Sequence, residues 1–502
     1  MSAPTVTVDR LLERPPTSQI GSLARRAALW TCGVLVGGYL VSMAATAILA
    51  RILTATDYGI IGMVMTLTSF FYFFSDMGLS WAIVQKLNLT RGQVDNLFWI
   101  NTAAGIGLWG ACFLAGPLLN RFYGRPELSR ITGVLGAGFL LSSFAAQPRA
   151  LLQRQMRLKA LSVITITAQT GGAAAGVCLA LTGFGYWALV GQSLTVQAIL
   201  SLLLFGYTGY RPGLPSMGQG TKTMVGFGGY LTATAIVVYF AQNLDNILIG
   251  RAWGAQQLGY YSRAYFLMTL PTMLAIGSLQ GVMIPTLSGL GHDCERMAEA
   301  YRKAVSAVGA VGFPLAVGLA VTAPEAIRLI YGTKWAPAAP LLFWLSVAGV
   351  LQPIYNTTVW LYVASGRTRT GFWWGLASTA ALAGGFFAGL SHGPIGVAVA
   401  YALMMGFVLT IPGLYFAHRS AQMSLISTLR TLTPFFAAAM IMGILIVAGA
   451  HLLAAQNTDW RVALAAKISI GVTVYIGICW HRLTHLFNDM IFGLKAPITT
   501  PA

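Results

Sequence analysis

The fold class this sequence predicts is an all-α integral membrane protein of 14 transmembrane helices, two six-helix lobes followed by two C-terminal helices. Three observations carry that expectation. The 502 residues are 56% hydrophobic and only 9% charged, whereas about a quarter of a soluble domain is charged. Fourteen apolar stretches recur along the chain, each near the ~20 residues that cross a ~30 Å hydrocarbon core. The seventh stretch also ends much as the first does: Arg51, Ala55 and Gly59 recur as Arg251, Ala255 and Gly259. Internally repeated membrane bundles are typically transporters, with the substrate path at the seam between repeats.

In chain order, a polar N-tail at 1–26 carries Arg10, Arg14, Arg25 and Arg26. The apolar run from Ala27 is longer than the 7–15-residue core of a secretory signal, so it reads as an uncleaved first span. Spans one to six fall at 27–50, 58–84, 95–119, 131–148, 160–181 and 184–206. A Gly/Pro-rich linker at 207–225 separates them from spans seven to twelve at 226–250, 264–288, 303–323, 338–363, 371–391 and 394–416, with Gly393-Pro394 dividing the last two. Spans thirteen and fourteen, at 432–453 and 462–481, complete the region 417–481, and a C-tail occupies 482–502. Six spans separate the matching exits, so the repeat is parallel and its axis runs along the membrane normal. The lobes are then 27–206 and 226–416. A second echo supports the division: Gly183, Gly185 and Ala188 open the sixth span, and Gly393, Gly396 and Ala398 open the twelfth.

Charge sets the expected orientation. Of 31 Lys and Arg, 21 lie on the side of the two tails, 9 lie on the opposite side, and Lys467 sits inside the last span. The positive-inside rule places both termini in the cytoplasm. The net charge of +18 reads as this topological signal plus attraction to anionic lipid. Without a long basic run in any loop, nucleic acid is not an expected partner. Four of the five cysteines lie in spans, and no disulfide framework is implied.

Several matches to catalytic patterns are decoys. Gly105-Ile106-Gly107-Leu108-Trp109-Gly110 fits the dinucleotide pattern but lies inside a transmembrane helix with no preceding strand, which reads as helix packing. The Gly pairs 33/37, 172/176 and 277/281 read the same way. Gly220-Thr221-Lys222-Thr223 lacks the spacing of a phosphate-binding loop, and His481 with His485 has no third metal ligand. No nucleophile set stands out, so the chain is not expected to be an enzyme.

Ionisable groups at membrane depth point to function, because they are costly there. Asp245 stands in span seven within Gln242-Asn243-Leu244-Asp245-Asn246, and Asp76 stands in span two. Gln242, Asn243, Asp245 and Asn246 cover more than one helix face, as the wall of a water-filled cavity would. A carboxylate among amides suits a proton or Na⁺ as coupling ion; the bland alternative pairs Asp245 with Arg251 or Arg263. Arg25, Arg26, Arg149 and Arg154 mark the cytoplasmic end, and Arg51, Arg251 and Arg263 the outer rim. Guanidinium groups grip phosphate oxygens bidentately. The positive-inside signal explains most of the cytoplasmic set but not the outer three. Lys467 could snorkel to the outer surface. Tyr58, Tyr72, Tyr230, Tyr239, Tyr260, Tyr261, Tyr265, Trp360 and Tyr362 suit sugar faces, with an interfacial belt as their default reading.

Several of these runs carry a family resemblance. Ala50-Arg51 with Asp57-Tyr58-Gly59, Ser75-Asp76-Met77-Gly78, Pro148-Arg149 through Arg157, and Asp245 to Arg251 followed by Leu258 to Tyr265 resemble polysaccharide flippases. The resemblance is to the lipopolysaccharide and exopolysaccharide biosynthesis branch of the multidrug/oligosaccharidyl-lipid/polysaccharide exporter superfamily. Asn246 departs from the arginine usual after the aspartate, which weakens an Asp–Arg pair within that helix. The resemblance implies lobes arranged as a V around a central cavity that opens alternately to either side. It implies an undecaprenyl-pyrophosphate-linked oligosaccharide flipped across a bacterial inner membrane, with no resident cofactor and with polysaccharide polymerase and export machinery as the partners to seek. The alternatives are an organic-cation (drug) exporter of the same superfamily, an integral membrane glycosyltransferase or polymerase, and a structural scaffold.

Overall fold

The computed structural model describes residues 37–76, 80, 83–84, 89–215, 221–291, 293–454 and 459–493. The described residues are all-α, and nine of their helices are long and apolar enough to cross a membrane. These nine coincide with predicted spans three to six, nine, ten and twelve to fourteen. The chain is therefore a multi-pass membrane protein. Helices also run through the described parts of the other spans, at Gly37–Ile52, Ala55–Asp76, Thr368–Leu390 and the long stretch Thr221–Gly289. Two compact units divide the chain, Met1–Ser262 and Arg263–Ala502.

The first unit contains α1 (Gly37–Ile52), α2 (Ala55–Asp76), α3 (Arg91–Tyr123), α4 (Glu127–Arg154), α5 (Leu158–Leu181), α6 (Trp187–Thr208) and the first part of α7 (Thr221–Gly289). Local chemistry sets the ends. Thr90 starts α3 with a reciprocal cap: its hydroxyl accepts from the Gln93 N–H at 3.4 Å, and the Gln93 carboxamide accepts from the Thr90 N–H at 3.3 Å. Gly124 stops α3 in the left-handed region at φ 68°. Small residues then let neighbouring helices approach. A Cβ on Gly105 would stand 2.9 Å from Ser143 Oγ and 3.0 Å from the Phe139 carbonyl, whereas Gly107 and Gly110 face open space. The dinucleotide-like run is thus helix packing at its first glycine alone. Gly172 and Gly176 of α5 lie against Gln192 of α6 in the same way, while Gly277 and Gly281 have nothing within 4 Å. Close packing explains the 172/176 pair and not the 277/281 pair.

The linker between spans six and seven is partly docked. α6 ends at Gly209 (φ 60°), and the next residue, Tyr210, is buried and donates its hydroxyl to Asp95 at 2.7 Å. Trp99 Nε1 donates to the Gly213 carbonyl at 2.8 Å. Asp95, at the start of a predicted span, is a buried carboxylate that its sequence context does not mark.

The second unit builds its core around Tyr301, Phe313 and Trp360 and extends it to Tyr475 and Cys479 of the last helix (Trp460–Gly493). Tyr475 donates to the Ala310 carbonyl at 2.8 Å. Lys467 does not snorkel outward, as its sequence position suggested. It is buried and donates from Nζ to Glu325 Oε1 at 2.5 Å, joining the last helix to the short helix Ala323–Ile330. Removing one partner strands the other charge in a low-dielectric site, which costs about 3–5 kcal/mol, whereas replacing both costs far less. Lys467→Met alone should therefore lower the unfolding temperature of the detergent-solubilised protein markedly, and the double variant with Glu325→Gln should recover most of the loss. A double variant as unstable as the single one would exclude this pairing.

Candidate functional site

The repeated exits are where the first unit is tightest. α1 stops at Ile52, and α2 restarts at Ala55 after Thr54. Thr54 caps the restart: its backbone N–H and hydroxyl both donate to Asp57 Oδ2, at 2.8 and 2.7 Å, and its hydroxyl accepts from the Asp57 N–H at 3.3 Å. In the second copy the break falls 200 positions later, at Gly254, whose φ 80° and ψ 179° belong to a region almost exclusive to glycine. The two copies then meet face to face. A Cβ on Gly59 would overlap the Ala255 carbonyl oxygen, and a Cβ on Gly259 would overlap the Ala55 carbonyl oxygen. The contact is reciprocal, as a local two-fold relation between the copies requires. Ala55, Met63, Ala255 and Leu258 around it are buried.

Gly254 also turns the chain so that Tyr261 returns beside Asp245. Asp245, 2% exposed, accepts from the Tyr261 hydroxyl and from the Asn246 backbone N–H, both at 2.8 Å. Within the first unit Asp245 is held by a phenol sixteen residues away and not by Arg251, which the alternative reading offers as a partner. Asn243, two residues earlier, donates to the Tyr239 carbonyl at 3.1 Å and faces a cavity that Asp245 does not line. The polar run therefore divides between an interior site and a cavity wall.

That cavity has a volume of about 390 Å³. Its hydrogen-bonding wall comes from Thr68, Ser69 and Tyr72 of α2, Ser142 of α4, Ser193 and Gln197 of α6, and Tyr239 and Asn243 of α7. In α2, α6 and α7 these residues recur three or four apart, the spacing of one helical face. From Gly59 the cavity lining begins six residues along α2, at Met65, roughly 9 Å at about 1.5 Å per residue, so the interlock stands beyond one end of it. In the second unit a cavity of about 570 Å³ is lined almost wholly by apolar residues, Phe343, Trp344, Phe407 and Phe436 among them.

The predicted arginines are distributed differently. Arg51 and Arg251 are exposed at the interlock end, with the Arg251 guanidinium 5.8 Å from the Phe122 ring centre. Arg263, in the second unit, lies 5.5 Å over Phe266. Arg149 is exposed, but Arg154 is buried and donates from a guanidinium nitrogen to the Ile83 carbonyl at 2.8 Å. Arg25, Arg26 and the side chains of Asp76 and Gln242 lie outside the described residues. Of the aromatic residues singled out in the sequence, the Tyr230 side chain lies outside the described residues. Tyr58, Tyr239, Tyr260, Tyr261, Trp360 and Tyr362 are buried, and Tyr72 is exposed in the cavity. Ser69, Ser142, Ser193 and Gln197 were not singled out in the sequence. A polar pair one helical turn apart in an apolar span, such as Ser193 and Gln197, was the available signal.

A family model described as a polysaccharide biosynthesis protein matches residues 48–340, more than half of the chain. The chain belongs to that family. Within this polysaccharide biosynthesis family it is 27% identical over 406 residues to the lipopolysaccharide biosynthesis protein WzxC of Escherichia coli K12, covering 78% of this chain and 81% of that one. It is 24% identical over 462 residues to the succinoglycan biosynthesis transport protein ExoT of Rhizobium meliloti, covering 92% and 93%. The fold matches the lipid II flippase MurJ in an inward closed conformation, with a TM-score of 0.71 at 14% identity over 93% of this chain and 99% of that one.

Proposed function

We propose that this chain is a flippase that moves undecaprenyl-pyrophosphate-linked oligosaccharide from the cytoplasmic to the periplasmic leaflet of a bacterial inner membrane. The observation that carries the reading is a neutral, hydroxyl- and amide-lined cavity beside a tight helix interlock, in a membrane protein of a polysaccharide biosynthesis family. In this reading the 14 helices form two six-helix lobes, 27–206 and 226–416, joined by the linker 207–225. Both termini are cytoplasmic, and the interlock seals the periplasmic end. Alternating access needs the interlock to part and reform while the lipid tail stays in the bilayer. Arg51, Arg251 and Arg263 hold the pyrophosphate at the outer rim, and Arg149, with Arg25 and Arg26, receives it at the cytoplasmic mouth. Asp245 takes a proton or Na⁺ and biases the exchange. Polymerase and export machinery would receive the product.

An organic-cation exporter of the same superfamily is the second reading. It would call for an acidic cavity, and among the described residues no carboxylate lines the one in the first unit. Reconstituted vesicles decide between the two. Fluorescently labelled lipid-linked oligosaccharide should become accessible in the opposite leaflet faster with the protein than without it, and an organic cation should not accumulate. The reverse result would reject the flippase.

A further inference from the structure

We infer that the cavity of the first unit is a subsite for uncharged sugar, holding a neutral mono- or disaccharide portion of the glycan apart from its phosphate. The assignment rests on the polysaccharide reading above and deepens it. Three features of the wall support it. First, every described side chain that lines it is uncharged: Met65, Leu135 and Phe139 are apolar, and the polar members are hydroxyls and carboxamides. Second, much of its hydrogen-bonding capacity is unused. Thr68 and Ser142 turn their hydroxyls to the Val64 and Phe139 carbonyls of their own helices, and Tyr239 donates to the Thr66 carbonyl. Ser69, Ser193 and Gln197 make no side-chain hydrogen bond among the described residues. Gln197 and Ser193, one turn apart on α6, thus offer donors and acceptors together, which suits vicinal hydroxyls that must both give and accept. Third, the rings of Tyr72 and Phe139 border the same space and supply apolar faces for the C–H side of a pyranose.

A volume of about 390 Å³ lies within the ~300–1,000 Å³ of small-ligand pockets. The uncharged lining formed by the described residues gives the site its selectivity. An ionised uronate entering it would lose water and gain no cation from the lining residues, and such desolvation is unfavourable without a partner. A neutral sugar exchanges its water hydrogen bonds for those of Ser69, Ser193, Gln197 and Asn243. Discrimination in a site built to pair hydroxyls arises because its own polar groups are left unpaired when the wrong group enters.

Photolabelling of the full chain in nanodiscs tests the subsite. The probes are a dodecyl maltoside and a dodecyl glucuronide, each carrying the same diazirine on the sugar. The maltoside probe is expected to label the peptides containing Thr68 to Tyr72 and Ser193 to Gln197 at least about tenfold more than the glucuronide probe. Gln197→Leu with Ser193→Ala should lower labelling of the Thr68-to-Tyr72 peptide at least about fivefold, and Asn243→Leu, on a different helix, should do the same. An unchanged unfolding temperature shows that these variants remain folded, and substituting neutral side chains on two separate helices keeps the result independent of either. Equal labelling by both probes, preference for the glucuronide, or labelling indifferent to both variants would overturn the subsite. If the maltoside labels as expected but no lipid-linked oligosaccharide moves in vesicles, the flippase reading fails and the subsite stands. Transport without cavity labelling removes the subsite alone.

Discussion

Gly59→Ala and Gly259→Ala are each expected to cut polysaccharide output by at least about tenfold in cells that depend on this chain, at unchanged membrane protein level. The added methyl group falls on backbone, not on a side chain that could change rotamer: the Ala255 carbonyl in one case and the Ala55 carbonyl in the other. Overpacking of a tight contact costs about 1–3 kcal/mol, and about 1.4 kcal/mol already shifts an equilibrium tenfold. The cost applies to the interlocked state, so an alternating-access cycle loses the state that seals that end. Because the two contacts belong to one interface, their effects should not add. Once one methyl group has separated the helices, the second meets open space, and the double variant should fall close to either single one. Gly107→Ala and Gly110→Ala, on a helix surface with nothing within 4 Å, provide the control and should leave output unchanged. Wild-type output from Gly59→Ala would mean that the interlock plays no part in transport. Strict additivity would mean that the two contacts are independent.

This contact explains what the sequence could and could not reveal about the fold. Arg51, Ala55 and Gly59 recur at Arg251, Ala255 and Gly259, and the repeat is readable because both copies meet the same packing demand. That the copies pack on each other is not encoded in either one, since a small residue at a helix start is compatible with many neighbours. The hydrophobic stretches were readable for a simpler reason: a span must be apolar over its full length whatever it packs against. The candidate site was less legible. Serine and threonine in membrane helices commonly bond to their own carbonyls, as Thr68 and Ser142 do, so a hydroxyl in a span does not announce a cavity. Only three-dimensional convergence of four helices distinguishes Ser193 and Gln197 from such residues. Arg154 illustrates the opposite limit of sequence. Its place in a basic cytoplasmic turn suggested a phosphate ligand, and the structure commits it to the Ile83 carbonyl. Sequence showed the charge but not the acceptor already beside it.

Asp245→Asn is expected to abolish the dependence of transport on pH or Na⁺ and to reduce its rate at least about tenfold, while leaving the fold intact. Two accounts of this carboxylate predict different results, and its geometry separates them. If Asp245 only anchors Tyr261, asparagine is a good substitute, since its carboxamide oxygen can still accept from the phenol and from the Asn246 N–H. Loss would then be limited to the difference between a charged and a neutral acceptor, about 1 kcal/mol, and Tyr261→Phe would be at least as damaging. If Asp245 binds the coupling ion, asparagine removes the charge that a proton or Na⁺ needs, and no hydrogen bond to Tyr261 compensates. Tyr261→Phe would then keep ion dependence and lose only part of the rate. Burial favours the second account. A carboxylate 2% exposed, held by one hydroxyl and one peptide N–H, is expensive to retain for anchoring alone, because a neutral residue could accept the same two hydrogen bonds without the cost of burying charge. Flipping assays of wild type, Asp245→Asn and Tyr261→Phe, run across pH and with Na⁺ exchanged for K⁺, supply the test. Ion-dependent transport surviving in Asp245→Asn would remove Asp245 from the coupling mechanism and leave it as the anchor of Tyr261.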